Sequence, residues 1–214
     1  MIKEFENPKV IAIIGNSNEA KSNLVYYLIE ELKKKYKFKL VTYGLRKEIK
    51  GASKIFSINE IEQIRNSVIF IDEFFTLFDL EDRKKRKQIE NTIRLIFHNN
   101  NVLVLVGLCE NFKKFISAKI NSVFYKKCTF NDFINGSSVK KSILNYQGNE
   151  RGSEVLNLKK DEVILFNGSY TKYNIPYMKS YDIKSLNEKI LIKKCGKNVP
   201  KKVNKSNLKV ITKI

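Results

Sequence analysis

Two kinds of apolar run alternate along this chain. Residues 9–14 (KVIAII) form a short β-branched run that stops at Gly15, and behind it Leu24, Leu28, Ile29 and Leu32 recur at helical spacing until charged residues close the segment near Lys35. That order predicts strand, turn, helix. Residues 38–43 (FKLVTY) alternate as a second strand and end at Gly44. Residues 57–65 (SINEIEQIR) read as a short helix, with Ser57 as N-cap and Glu60 completing a capping box. The continuous run 68–71 (VIFI) has the composition of a strand covered on both faces. Residues 81–98 carry Ile89, Ile93, Ile96 and Phe97 at helical spacing, Asn99, Asn100 and Asn101 break the helix, and 102–106 (VLVLV) is the most apolar strand in the chain.

Strands alternating with helices predict an α/β fold with a parallel central sheet flanked by helices. Beyond residue 138 the texture changes. Segments 142–146, 154–158, 163–166 and 170–175 are short, alternating and separated by Gly, Asn or charged turns, which predicts a C-terminal antiparallel β appendage on the same domain. No internal repeat is visible. The expected organisation is one domain over residues 1–188, with a core at about 8–130 and the appendage at about 138–188, then a basic, mobile tail over 189–214.

The 214 residues, 43% of them apolar, are enough for one domain's core and exclude a disordered or low-complexity chain. Lys and Arg number 41 against 22 acids, a formal charge of +19, which attracts polyanions and nucleic acid above all. A chain this rich in Lys, Asn and Ile also acquires surface lysines from composition alone. Nine lysines and no acid lie from Lys189 onward, as in a tail that follows phosphates, whereas the cluster 83–87 (RKKRK) reads as an exposed helix face. Cys109, Cys128 and Cys195 are widely spaced without a CxxC, and with the single His98 they argue against a disulfide framework or a zinc site. The longest uncharged apolar run, 102–109, is too short to span a bilayer and the opening MIKEFENPK has no signal-peptide core, so a soluble cytoplasmic domain is expected.

The chemistry concentrates in two motifs. Residues 15–22 (GNSNEAKS) stand directly after a strand and before a helix, and follow the phosphate-loop pattern GxxxxGK[ST] except at Ala20, where the second glycine belongs. Backbone N–H groups of Gly15, Asn16, Ser17, Asn18, Glu19 and Ala20 would wrap a β-phosphate, with a helix N-terminus behind them. Lys21 would reach the β- and γ-phosphates of ATP, and the Ser22 hydroxyl would bind Mg2+. Ala20 can donate its N–H if its φ is negative, so the replacement is expected to be tolerated. About fifty residues further on, VIFIDE ends an apolar strand in two carboxylates. Asp72 would hold the Mg2+ through its water shell, and Glu73 would polarise a water for in-line attack on the γ-phosphate. That second carboxylate favours hydrolysis over phosphoryl transfer to a metabolite, and no Arg-rich lid segment is found. In additional-strand ATPases the strand between the phosphate-loop and acidic strands ends in a polar residue that senses the γ-phosphate. Here GLCENF offers Glu110 or Asn111, of which Asn111 is the better donor. Residues 135–138 (NGSS) read as a plain turn, and Phe74, Phe75, Leu77 and Phe78 as core packing or a subunit interface.

The order GNSNEAKS, VIFIDE, a helix ending in RLIFHNN and then VLVLVGLCEN resembles the HerA/FtsK superfamily of P-loop ATPases. Within it, the likeness is to genome-packaging ATPases of tailless and membrane-containing viruses and to related phage proteins. His98, Asn99 and Asn100 match the family's Arg/His-Asn element, while Cys109 and Glu110 stand where Thr-Gln is usual. The likeness covers about residues 8–130. It implies a RecA-like, additional-strand core that assembles as a homo-oligomeric ring, a hexamer, and draws double-stranded DNA through its centre with ATP and Mg2+. A viral capsid or membrane-associated partner is implied too. An arginine from the next subunit completes each site in such rings; Arg94 is the first candidate and Arg86 the second. Three other readings stay open: an assembly and export ATPase of the zonula occludens toxin-like kind, a small P-loop kinase, and a nucleotide-binding module without turnover.

Overall fold

The computed structural model describes residues 1–77, 83–112, 114–129 and 153–181. The chain divides into two compact units, Met1–Tyr177 and Met178–Ile214. Of the second, only a short 3-10 turn, Lys179–Tyr181, is described.

The first unit is built on one sheet. Six strands run parallel: β1 (Lys9–Ile14), β2 (Lys39–Tyr43), β3 (Ala52–Lys54), β4 (Ser67–Ile71), β5 (Val102–Gly107) and β6 (Ser122–Tyr125). Two more, β7 (Glu162–Phe166) and β8 (Tyr170–Asn174), continue the sheet antiparallel from β6. The order across the sheet is β3-β2-β4-β5-β1-β6-β7-β8. Strand β5 therefore lies between β1, which leads into the phosphate-loop motif, and β4, which ends in the acidic pair. This is the RecA-like, additional-strand arrangement expected from the sequence, with the antiparallel strands forming the C-terminal appendage.

Burial explains the runs. Val10 to Ile14 and Leu103 to Val106 are wholly excluded from solvent, as central parallel strands covered on both faces must be. Helix α1 (Lys21–Lys35) presents Leu24, Val25, Leu28, Ile29 and Leu32 to the core and ends in Lys33, Lys34 and Lys35, which suit the negative end of its dipole. In helix α2 (Ile58–Glu62) the capping box forms, Glu60 Oε1 accepting from the Ser57 N–H at 2.8 Å. Helices α3 (Phe74–Leu77) and α4 (Arg83–His98) follow, then the short α5 (Lys114–Ser117). The basic run thus opens α4, which buries Ile89, Ile93 and Ile96.

The three asparagines after α4 do more than stop it. Asn100 takes the left-handed conformation at φ 53°. Asn99 Nδ2 donates to Glu62 O at 3.0 Å and Asn101 Nδ2 to Ile64 O at 2.8 Å. Asn101 Oδ1 in turn accepts from the Ser67 N–H at 3.0 Å. The helix end is thereby tied to the entry of β4, which fixes where the acidic strand begins.

The structure corrects one segment and adds two strands. Residues 154–158 do not form a strand: Ser153–Asn157 is a 3-10 helix, which buries Val155, and Leu158 just after it is buried too. The edge strand β3 and the strand β6 were not expected. Segments 142–146 and 135–138, Phe78 and the tail over 189–214 lie outside the described residues. No helix among the described residues is long and apolar enough to cross a membrane.

Candidate active site

Parallel register sets the ends of three strands side by side, with Ile14 opposite Gly107 and Ile71 opposite Leu105. The phosphate-loop motif leaves β1 at this edge. Two bonds from the segment after β6 hold its first residues. The Lys126 N–H donates to Ile14 O at 2.7 Å and the Asn16 N–H donates to Lys127 O at 2.9 Å. Gly15 is pressed against that brace, since a Cβ there would lie 2.6 Å from the Cβ of Lys126.

Further along the loop Asn18 and Ala20 have φ of 61° and 58°. The negative φ expected at Ala20 is not what the structure has. The loop keeps the shape that glycine would give it, and the alanine bears the left-handed cost of roughly 1–2 kcal/mol. Helix α1 begins at once, the Leu24 N–H donating to Ala20 O at 3.1 Å. The amides of its first turn have no intrahelical acceptor and, with the dipole, form an anion site. Lys21 folds back on the loop, Nζ donating to Asn16 O at 2.7 Å and Gly15 O at 3.1 Å. Burial lowers the pKa of this ammonium, against the pull of Asp72 and Glu73.

The acidic arm arrives from β4. The Asp72 N–H donates to Tyr43 O at 2.9 Å. Gly44, at φ 74°, lets the two chains close up, for a Cβ there would run into the Asp72 carbonyl oxygen. The Asp72 carboxylate is buried and accepts two bonds, from Ser22 Oγ at 3.0 Å and from the Glu73 N–H at 3.0 Å. The Ser22 bond joins the two sequence motifs directly. Burial raises the Asp72 pKa above the usual range, opposed by these two bonds. Glu73 is exposed and left-handed at φ 49°, and its carbonyl accepts from the N–H and Oγ1 of Thr76, both at 2.9 Å.

A third arm comes from β5. The 3-10 turn Cys109–Asn111 follows the strand. Glu110 is exposed, whereas Asn111 Nδ2 is buried without a hydrogen-bond partner among the described residues. The Phe74 and Phe112 rings, 4.7 Å apart between centroids, pack the turn against α3. Arg94 is exposed on α4 and makes no hydrogen bond or ion pair among the described residues; Arg86 is half-buried on the same helix. Ser17 and Asn18 are exposed, and Glu19 half-buried.

Sequence reasoning missed Lys126. It is 1% exposed, and its Nζ donates to Lys160 O and Glu162 O, both at 2.6 Å, so the appendage is tied to the residue that braces Gly15. Burial pushes its pKa down to about 8. The signal was present as the apolar run 123–125 just before it.

Among the described residues no three His, Cys, Asp or Glu cluster to hold a metal. The Ser22 hydroxyl and Asp72 carboxylate are instead the oxygen pair that suits a hydrated hard cation such as Mg2+. The arrangement offers backbone donors and a lysine for an anion, oxygens for a cation beside it, an exposed carboxylate next to both, and a buried amide with unused donors.

No protein-family model matches the chain, and no curated protein matches it in sequence. Solved structures do match in fold. The DNA-packaging ATPase B204 of Sulfolobus turreted icosahedral virus superposes with a TM-score of 0.59 at 15% identity, over 80% of this chain and 99% of that one. B204 of Sulfolobus turreted icosahedral virus 2 in complex with AMPPCP gives 0.60 at 14% identity, over 79% and 99%. The conjugation coupling protein TcpA of pCW3, with ATPγS, gives 0.54 at 13% identity, over 86% and 64%. The chain has the fold of FtsK-type P-loop ATPases and resembles the viral packaging ATPases among them.

Proposed function

We propose that this chain is an ATP-hydrolysing DNA translocase of the genome-packaging kind, from a phage, virus or mobile element. One observation carries the reading: the 3.0 Å bond from Ser22 to Asp72 unites the phosphate loop with the acidic strand across the inserted β5. The loop amides and Lys21 bind the polyphosphate, Lys21 exchanging two carbonyl partners for phosphate oxygens. Ser22 and Asp72 hold Mg2+, which when bound neutralises charge on the β- and γ-phosphates. Glu73, exposed beside them, orients the attacking water and accepts its proton. Asn111 supplies the γ-phosphate contact, because its Nδ2 is buried without a partner among the described residues while Glu110 is exposed. Arg94, exposed and without an ion pair among the described residues, would enter a neighbouring subunit's site in a homo-oligomeric ring. The charge of +19 supports double-stranded DNA as the polyanion that is moved.

The test is phosphate release from ATP with and without double-stranded DNA, beside Lys21→Ala and Glu73→Gln. Turnover that rises with DNA and vanishes in both variants supports the reading. ATP binding without turnover, indifferent to DNA, overturns it and leaves a nucleotide-gated binding module.

A further inference from the structure

Cys109 and Cys128 are far apart in sequence, yet their Sγ atoms lie 3.3 Å apart in the interior, in residues 3% and 2% exposed. Cys109 opens the turn after β5, and Cys128 follows β6. Strands β5 and β6 are the two neighbours of β1, so the thiol pair spans the end of the strand that leads into the phosphate loop. Cys128 also stands directly after Lys126 and Lys127, whose backbones hold Ile14 and Asn16. A disulfide needs its sulfurs at about 2.05 Å, so the pair must close by roughly 1.2 Å. Lys21 lies within electrostatic reach of both sulfurs.

We propose that Cys109 and Cys128 form a reversible intrachain disulfide that stiffens the phosphate loop. The oxidant is a small-molecule disulfide such as oxidised glutathione. One protein thiolate attacks a sulfur of the oxidant, making a mixed disulfide and releasing one thiolate. The second protein thiolate then attacks the protein-bound sulfur, closes the Cys109–Cys128 bond and releases the other thiolate. The two protein protons end on the two released thiolates, and the two electrons with them. Entry of the oxidant requires opening of the Cys109–Asn111 turn, held by the Asn111 N–H on Leu108 O at 3.1 Å and the Phe112 N–H on Cys109 O at 3.3 Å. Once closed, the bond joins the turn that carries Asn111 to the brace of the loop. A consequence for ATP turnover rests on the function proposed above; the disulfide itself does not.

The experiment uses the full chain carrying Cys195→Ser, which removes the third thiol from exchange. Samples equilibrated across glutathione ratios from fully reduced to fully oxidised are acid-quenched and alkylated, then read by intact mass and peptide mapping. The expected result is a chain that takes up no alkyl group and lies about 2 Da below the unalkylated reduced mass, with a linked 109–128 peptide, reversed by dithiothreitol. Amide exchange of residues 15–22 slows by about fivefold or more in the oxidised form. Cys109→Ser and Cys128→Ala each abolish both changes. Failure of the linked peptide to form in fully oxidised glutathione overturns the proposal, and so does a disulfide that leaves loop exchange unchanged. ATP turnover on portions withdrawn before the quench is expected to fall on oxidation and return on reduction. A reduced chain that never turns over ATP sinks the ATPase reading, while mass and exchange still decide the disulfide.

Discussion

The two arms of the candidate site meet in one hydrogen bond, and each places a non-glycine residue in left-handed backbone. In the loop arm Ala20, like Asn18 before it, is left-handed at φ 58°, and in the acidic arm Glu73 is at φ 49°. The geometry is alike and the meaning differs. At Ala20 the backbone N–H is the useful group and the methyl adds nothing to the donor set, so glycine would do the same work without strain. At Glu73 the side chain is the proposed base, and the bend turns it off the strand while the carbonyl receives both donors of Thr76. Strain is incidental in one arm and bound to the proposed chemistry in the other.

Substitutions sharpen that contrast. The largest effect is expected at Glu73: Glu73→Gln lowers turnover by about 10²–10³-fold with ATP binding retained. Glu73→Gly loses turnover as fully, yet unfolds later in urea by about 0.5–1 kcal/mol because the left-handed cost is gone. An active Glu73→Gln variant, or a destabilised Glu73→Gly variant, breaks the comparison on that side.

Lys126 comes next, as the residue that ties the loop to the appendage. Lys126→Met leaves the Lys160 and Glu162 carbonyls without their donor and costs about 1–3 kcal/mol by denaturant unfolding. Its pH signature is separable. The folded pKa of about 8 lies below the ordinary lysine value of 10.5, so between those values the unfolded chain binds more protons. The cost of burying the charge is present in full below pH 8 and is relieved as pH rises toward 10.5. Wild-type stability therefore gains a rising component across that window which Lys126→Met lacks. Identical slopes in the two proteins contradict the buried ammonium.

The smallest effect is the mirror of the first. Ala20→Gly stabilises by about 0.5–1 kcal/mol and leaves turnover equal or higher, read by urea unfolding and phosphate release. A loss of stability there means that the loop does not hold Ala20 left-handed. The acid limb of the kcat/KM profile is expected above the usual carboxylate range, because Asp72 must be ionised to hold a cation and burial raises its pKa. A limb in the ordinary range removes Asp72 from that role.

The strongly periodic parts of this fold were legible in the sequence. The runs 9–14, 68–71 and 102–106 and the spacing of Ile89, Ile93 and Ile96 are consequences of burial, and burial is what a pattern of apolar residues records. The Ser57–Glu60 box was legible because its chemistry is local. Strand β3 was not, since Ala52, Ser53 and Lys54 are polar or small and owe their conformation to pairing with β2. Residues 154–158 misled because Leu156 and Leu158 stand two apart as in a strand, whereas the buried pair, Val155 and Leu158, stands three apart. At the candidate site, the meeting of Lys21 and Ser22 with Asp72 was readable because the phosphate-loop and acidic-strand patterns single out those residues. Lys126 and the Cys109–Cys128 pair were not. Their meaning arises where β5 and β6 converge on β1, and parallel pairing of distant segments leaves no local trace.

If ATP turnover drives motion along double-stranded DNA, as proposed, the chain displaces a triplex-forming strand from a duplex. Displacement by the wild-type chain is expected to require ATP and to be absent with Glu73→Gln. Steady ATP hydrolysis with the triplex left in place contradicts it.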